Sequence, residues 1–512
     1  MHPGDGSLAT DMRVLVIGAG LSGLAATEKL LDAGAKVVVV DAFPVPGGRT
    51  ASFEVTDEVA GLVPGDVVEH GLHAWFQHYH ELFGLMGRAG IPKPAFAGNG
   101  IYFWDPERHH HVIEGGPGIW LINALRLPES MRGPRTAALV SFSRLIAYLD
   151  PALRRPEETD RESAMALLCR MGVPGPAIEH VFRKCLFSLT SLPFEELSAL
   201  ELLRWMSNVL PDPRVRCLEG GGTAAMAGPI TRHLQARGAD FRFGVEVRKL
   251  RLEGDRVRLE LRQAPDRTGL RHILVSGFRP AEPPNPDLFD AVVCTLPWER
   301  LLDVSRDDPR LGEHEAWASM RQLRNLHPLT VRLWFEKPIA GAEERYILSG
   351  GTVFDVLRPT AERSRYEGIR LVDALVENVE THLPGFLYTG ERYVDEPPHA
   401  RAIEGRVLAD LERLYPGQIR SNRVVRRFLH TREGIAACRP GAWKLRAPQH
   451  VGLRGFVLGG DWTRQPFGVC MEGAVRSGQL AVDCLLTGRQ VDSSPWAFAQ
   501  VAHSVRTLFE RS

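Results

Sequence analysis

Arg13 to Asp41 reads RVLVIGAGLSGLAATEKLLDAGAKVVVVD, and its alternation of apolar runs and glycines decides the fold class. RVLVI is a short apolar run closed by a glycine, Leu21 to Ala33 carries apolar residues at helical spacing with Gly34 behind it, and KVVVV is a second buried run. Strand, tight turn, helix and strand make a βαβ unit. Between the first strand and the helix stands GAGLSG, with Gly18, Gly20 and Gly23 in a GxGxxG pattern. Glycines there allow a tight turn, close approach of backbone to a pyrophosphate, and close packing of helix on strand, with the phosphates at the positive helix end. Asp41 closes the second strand, where a carboxylate can accept ribose hydroxyls. An ordinary βαβ glycine turn would read the same way, and NAD and FAD share the fingerprint, so neighbouring residues must choose. AFPVPGGRT follows at once, in which Gly47 and Gly48 are small and Arg49 offers a guanidinium suited to bidentate phosphate contact. That combination favours FAD.

Moving outward, 512 residues exceed what one hydrophobic core serves, so two modules or one interleaved pair are expected. The 62 basic residues cancel the 62 acidic ones, and the arginines are scattered among glutamates and aspartates, which argues against a nucleic-acid partner. Seven cysteines without a CxxC pair suggest neither a zinc ribbon nor a disulfide framework, and fit a reducing compartment. The polar start MHPGDGSLATDM lacks the regions of a signal peptide, and no run of about 18 apolar residues occurs, so the expectation is a soluble or peripheral protein.

Val68 to Phe83, VEHGLHAWFQHYHELF, holds His70, His73, His78 and His80 among aromatic pairs. Metal ligation would need further ligands at defined geometry, and no HExxH or flanking carboxylate pair is present, so no metal is expected. An amphipathic helix from Tyr79 onward is the plain reading. The triple histidine His109 to His111 reads as a hairpin turn. Near the other end, FVLGGDWT is a strand ending in Gly459, Gly460 and Asp461, and FGVCMEGAVRSGQLAVDCLL turns helical from Met471.

These stretches together resemble the FAD-dependent amine oxidase and phytoene desaturase superfamily, and within it the plant and cyanobacterial type phytoene and ζ-carotene desaturases. GLHAWFQHYHELFGLMGRAGI (Gly71 to Ile91) is similar to that family's segment of GLH, aromatic pair, tyrosine and leucine-rich helix, and GDWTRQPFGVCMEGAVRSG keeps its spacing from Asp461 to Gly478. The resemblance implies an α/β fold in which a Rossmann-type FAD-binding domain is interleaved with a mixed α+β substrate domain. FAD segments fall at 12–79, 215–310 and 426–490, a helical substrate and membrane-contact segment at 80–214, a substrate-domain sheet at 311–425, and a tail at 491–512.

By position, the resemblance assigns FAD contacts to Gly18, Ala19, Gly20 and Gly23, to Asp41 and Ala42, and to Gly48 and Arg49. It has His73 and Ala74 lining the flavin, Tyr79 approaching it, and Val247 near the adenine. Gly460, Asp461 and Met471 complete the cofactor set, and Val469 would face the substrate cavity. Arg204 aligns with a cavity arginine, where it would orient a quinone-like acceptor or pair with Glu201 or Glu219; Arg204 and His73 are the catalytic candidates. The implied chemistry is desaturation of a carotenoid or related isoprenoid, with hydride passing to flavin N5. Trp120 to Leu127 and Leu139 to Leu149, interspersed with arginines, suit a monotopic surface, implying a cytoplasmic enzyme peripheral to the inner face of a membrane. The sequence departs from the family where Gln77 and His78 replace small residues and FGVC precedes MEGAV, so an unusual substrate is expected. An amine or secondary-metabolite oxidase, a carotenoid isomerase on the same scaffold, and a non-enzymatic flavoprotein stay open, as does oligomeric state.

Overall fold

A computed structural model describes residues 11–55, 63–69, 73–96, 100–105, 109–114, 129–183, 190, 192, 194–209, 212, 214–218, 223–264, 280–326, 328–343, 347–348, 356–360, 371–376, 392–393, 397–431 and 434–491. The opening βαβ unit seeds a parallel sheet of β1 (Arg13–Ile17), β2 (Lys36–Asp41), β3 (Asp240–Phe243), β4 (Ala291–Cys294) and β5 (Phe456–Leu458), in the order β3-β2-β1-β4-β5. Val14 to Ile17 and all of β4 and β5 are buried, because a parallel sheet is covered on both faces and tolerates only continuous apolar runs. Ile17 pairs with Val40 on one side and Cys294 on the other, so the chain leaves β1 for one neighbour while the other arrives from far downstream. That switch point opens a crevice at the strands' carboxyl ends.

Among the described residues, the helices around that sheet and its crevice or bracing the second layer include α1 (Leu21–Asp32), α2 (His80–Arg88), α3 (Arg135–Leu153), α4 (Ala199–Val209), α5 (Pro397–Leu414) and α6 (Met471–Thr487). α1 and α6 touch through glycine, since a Cβ on Gly478 would stand 2.0 Å from the Ser22 carbonyl oxygen. The rest of α6 lays Ala481, Val482 and Cys484 into the cluster that holds Val14 and Val16 of β1.

An eight-stranded sheet forms the second layer, ordered Arg392–Tyr393, Val424–Thr431, Leu329–Phe335, Leu371–Val376, Val356–Thr360, Ile347–Leu348, Gly100–Asp105 and His109–Glu114. Its central strand LTVRLWF is buried at every position. Leu329, Val331, Leu333 and Phe335 share a cluster with Ile403, Val407 and Leu411 of α5. Arg332 instead donates to the Val67 carbonyl, while Arg426 pairs with Asp66 and lies 4.4 Å over the Trp334 ring. Helices α2, α3 and α4 with Ala164–Met171 share a further core.

Two expectations change. His109 to His111 lie on a strand paired with Gly100–Asp105, not in a turn: the register Trp104 with His110 shows the ladder overriding the weak strand preference of histidine. In α3, Phe142, Leu145 and Leu149 face the core, Ile146 is half-buried, and Leu139 and Val140, 41% and 52% exposed, remain on the outside. Trp120 to Leu127 lie outside the described residues.

Candidate functional site

Gly18 has φ +104°, and a Cβ there would stand 2.4 Å from Thr295 Oγ1 of the adjoining segment. A Cβ on Gly23 would stand 1.8 Å from the Gly18 carbonyl oxygen, so the turn and the first helical turn interlock only as glycines. Gly20 is the N-cap of α1 with no side-chain cap, and the first turn carries no acidic residue. Its N–H groups and positive dipole end are therefore left for an anion. Gly47 forms a parallel bridge with Gly20 and donates its N–H to Ala19 at 2.9 Å, which lays the GGR loop beside the fingerprint. A Cβ on Gly20 would meet only the Gly48 Cα, at 3.8 Å, so the space over that turn is open. The Asp41 carboxylate accepts N–H bonds from Ala19 at 2.7 Å and Phe43 at 2.8 Å, tying the turn to the end of β2 across half-buried Ala42. An open glycine cradle at an uncapped helix start, beside a fixed carboxylate and a guanidinium, fits a dinucleotide such as FAD.

The distant carboxyl-terminal motif closes this cradle. Arg49 pairs with Asp461 across 412 residues of sequence. Gly460, at φ +132°, lets Trp462 fold beneath it and donate to the Leu296 carbonyl at 3.1 Å. Gln465, fully buried, bonds the carbonyls of Asp461 and Gly468 and accepts the Phe467 N–H, fixing the turn that leads into α6.

At the head of α6, Glu472 accepts the N–H groups of Glu81 at 2.9 Å and Leu82 at 3.0 Å, serving as the missing cap of α2. Burial raises its carboxyl to about 8 against the pull of those two bonds. Tyr79, N-cap of α2, is buried, and burial, followed by Cys470 and Glu472, holds its phenol well above the usual range. Burial likewise pushes the Cys470 thiol up to about 12.

His78 lies in an aromatic chamber: stacked on Phe76 at 5.8 Å and on Phe467 at 6.2 Å, and edge-on to Tyr79 at 4.8 Å and Trp205 at 6.4 Å. Burial, then the neighbouring His80, lowers it to about 3, so its ring is neutral. Beside the chamber, Arg204 donates to Glu201 Oε1 at 2.8 Å and to the Gln465 carbonyl at 3.2 Å, and sits 4.4 Å over Trp443. Arg446 reaches the same Glu201 oxygen at 3.3 Å and Cys438 Sγ at 3.0 Å. Burial pulls Arg204 below its ordinary value; at Arg446 burial acts likewise, but Cys438, Glu201, Asp160 and Asp461 outweigh it and raise the group.

The structure thus brings Gly18, Ala19, Gly20, Gly23, Asp41, Gly48, Arg49, Gly460 and Asp461 to one crevice. Met471 and Val469, partly buried, pack on the core shared by Tyr79 and Ala74, and Val469 also touches the cluster holding Val247. His73 is half-buried, 6.3 Å from the Trp75 ring. Arg204 pairs with Glu201; Glu219 lies outside the described residues. Sequence reading passed over Arg446, Gln465 and Glu472. No local pattern marks Arg446, whereas the i, i+3 spacing of Glu201 and Arg204 on α4 was a usable signal. Among the described residues no cluster of three or more His, Cys, Asp or Glu could hold a metal.

A family model described as flavin containing amine oxidoreductase matches residues 21–486. The chain is 24% identical over 509 residues to a 15-cis-phytoene desaturase of Synechococcus elongatus, covering 93% of this chain and 96% of that protein. It is 23% identical over 509 residues to a probable zeta-carotene desaturase of the same organism, covering 94% and 100%. Putrescine oxidase bound to putrescine shares the fold, with a TM-score of 0.61 over 93% of this chain and 99% of that one at 17% identity.

Proposed function

The chain belongs to the flavin-containing amine oxidoreductase family and is an FAD-dependent oxidoreductase, and from that premise we propose that it dehydrogenates a carotenoid or related isoprenoid. The observation that carries this reading is the docking of its two desaturase-like stretches, described from His73 to Ile91 in the first and from Asp461 to Gly478 in the second. Glu472 of the second caps α2 of the first, and Gln479 donates to Glu81 at 2.9 Å. Bound FAD would supply a hydride acceptor at flavin N5. Gly20, Gly48, Arg49 and Asp41 would hold its phosphates and ribose, and His73, Ala74, Tyr79 and Met471 would line the ring. Phe76, Trp205, Phe467 and Val469 would wall a dry path for an apolar chain. Arg204, braced by Glu201 and the Gln465 carbonyl, would orient a quinone-like acceptor.

Delivery of such a substrate calls for a bilayer surface. Leu139 and Val140, with Ser143, Arg144 and Ala147, surround a surface hollow of about 420 Å³ on α3, mixing apolar and cationic groups as headgroup contact requires. Among the described residues no helix is long and apolar enough to cross a membrane. We place the enzyme in the cytoplasm, against the inner face of a membrane.

The test is anaerobic: flavin-loaded protein, liposomes carrying phytoene or ζ-carotene, and a quinone. Red-shifted polyene bands are expected. Absence of any polyene change with flavin bound, together with turnover of a water-soluble amine, would move the reading to an amine oxidase.

A further inference from the structure

Two hydrogen-bond acceptors beside the aromatic chamber lack a donor. Among the described residues, His78 Nδ1 and Glu201 Oε2 are buried without hydrogen-bond partners, on residues only 7% and 2% exposed. The other ring nitrogen of His78 is the one left for the Asn208 backbone, which hydrogen-bonds the ring. Both residues abut one turn. The His78 ring stacks on Phe467, and a Cβ on the next residue, Gly468, would stand 2.8 Å from Glu201 Oε2. Trp205 links the two, edge-on to His78 and with its indole nitrogen 3.5 Å from that same point on Gly468. Val469 comes next in the chain.

A buried acceptor left unmade costs about 1–3 kcal/mol, so two against one turn call for an answering group. The group must bring a donor, which excludes a carboxylate ligand. An ammonium brings donors as well, but Glu201 already shares its other oxygen with Arg204 and Arg446. The two guanidiniums are balanced by Glu201 and buried Asp160, so an ammonium would bring a buried charge with no counter-charge left to pair it. A neutral hydroxyl meets both conditions.

We infer that the hydroxyl end of the substrate lies between His78 Nδ1 and Glu201 Oε2, donating its one hydrogen to one of them and holding a water that donates to the other, so that the preferred substrate is an isoprenoid alcohol over a pure hydrocarbon. This rests on the isoprenoid reading above. His78 and Glu201 are then specificity residues, and the departure of this chain at His78 is where its selectivity resides.

The test compares binding of three probes in phosphatidylcholine liposomes to the flavin-loaded enzyme: an acyclic polyene hydrocarbon, the same chain bearing a hydroxyl, and the same chain bearing a primary amine, each followed by perturbation of the flavin spectrum. The alcohol should bind about tenfold tighter than the hydrocarbon, the scale of one net hydrogen bond, and tighter than the amine. His78→Phe, which keeps the stacking on Phe467, should bring alcohol and hydrocarbon within about twofold. Glu201→Gln, read only where the flavin spectrum is intact, should narrow the gap as well. Equal binding of alcohol and hydrocarbon by the wild type, or an undiminished preference in His78→Phe, overturns the inference. Tightest binding of the amine overturns the charge argument and with it the hydroxyl. If none of the probes perturbs the flavin while the flavin stays bound, the isoprenoid reading itself fails, a result distinct from equal binding.

Discussion

Replacing His78 by phenylalanine should make the protein less sensitive to acid. In the folded chain the imidazole titrates at about 3 rather than 6.5, because burial and then His80 oppose its charge. A base with a depressed folded value contributes stability that is present above 6.5 and lost as pH falls toward 3. At 1.36 kcal/mol per pH unit the whole span is worth about 5 kcal/mol, and at pH 5 about 2 kcal/mol has already gone. Phenylalanine does not titrate, so its variant should lack that part of the decline. The assay is the thermal midpoint of flavin release at pH 7.5 and pH 5.0. The wild type should lose about 2–4 °C more than His78→Phe between those two values. Any offset at pH 7.5 is a separate quantity: removal of the orphaned Nδ1 favours the variant, while the larger ring opposes it through overpacking. Equal pH slopes in the two proteins would refute a buried neutral His78.

Gly20→Val should yield folded but colourless protein, since its Cβ meets no backbone closer than 3.8 Å yet fills the cradle; circular dichroism and flavin absorbance separate the two effects. Arg49→Ala and Asp461→Ala should each weaken FAD retention about tenfold or more, and the double variant should lose less than the sum, as a double-mutant cycle of FAD dissociation constants would record. Above about pH 8, where Glu472 is ionised, Glu472→Gln leaves one acceptor for two backbone N–H groups, and should destabilise by about 1–2 kcal/mol with faster hydrogen exchange at Glu81 and Leu82, an effect that shrinks as pH falls through 8. The double substitution Leu139→Glu and Val140→Glu should abolish liposome flotation while leaving the flavin spectrum unchanged.

The dinucleotide half of the site was readable because its signals are local. Glycines at 18, 20 and 23, a carboxylate at 41 and GGR at 47–49 announce themselves by spacing, and β1, α1 and β2 formed where the apolar runs placed them. The other half depends on contacts that no window of sequence contains. Ile347–Leu348 finds Tyr102–Phe103 as a parallel partner, Arg446 meets Glu201 across 245 residues, and the orphaned acceptors exist only once α4 lies against the turn at Phe467. α3 shows an intermediate case, in which composition suggests an amphipathic surface while its apolar residues divide between core and surface according to what packs against them.

The interlock of α1 with α6 also sets a clock on the ribosome. Arg49 must wait for Asp461, 412 residues later, which at 5–20 residues per second is about 20–80 s. Until β5 emerges, β4 offers an unpaired parallel edge, and Ser22 of α1 stays without Gly478 against it. Closure of the cofactor cradle therefore belongs to the end of synthesis, and a message truncated before Asp461 would release a chain with its nucleotide fingerprint intact and without the carboxylate that pairs with Arg49 over it.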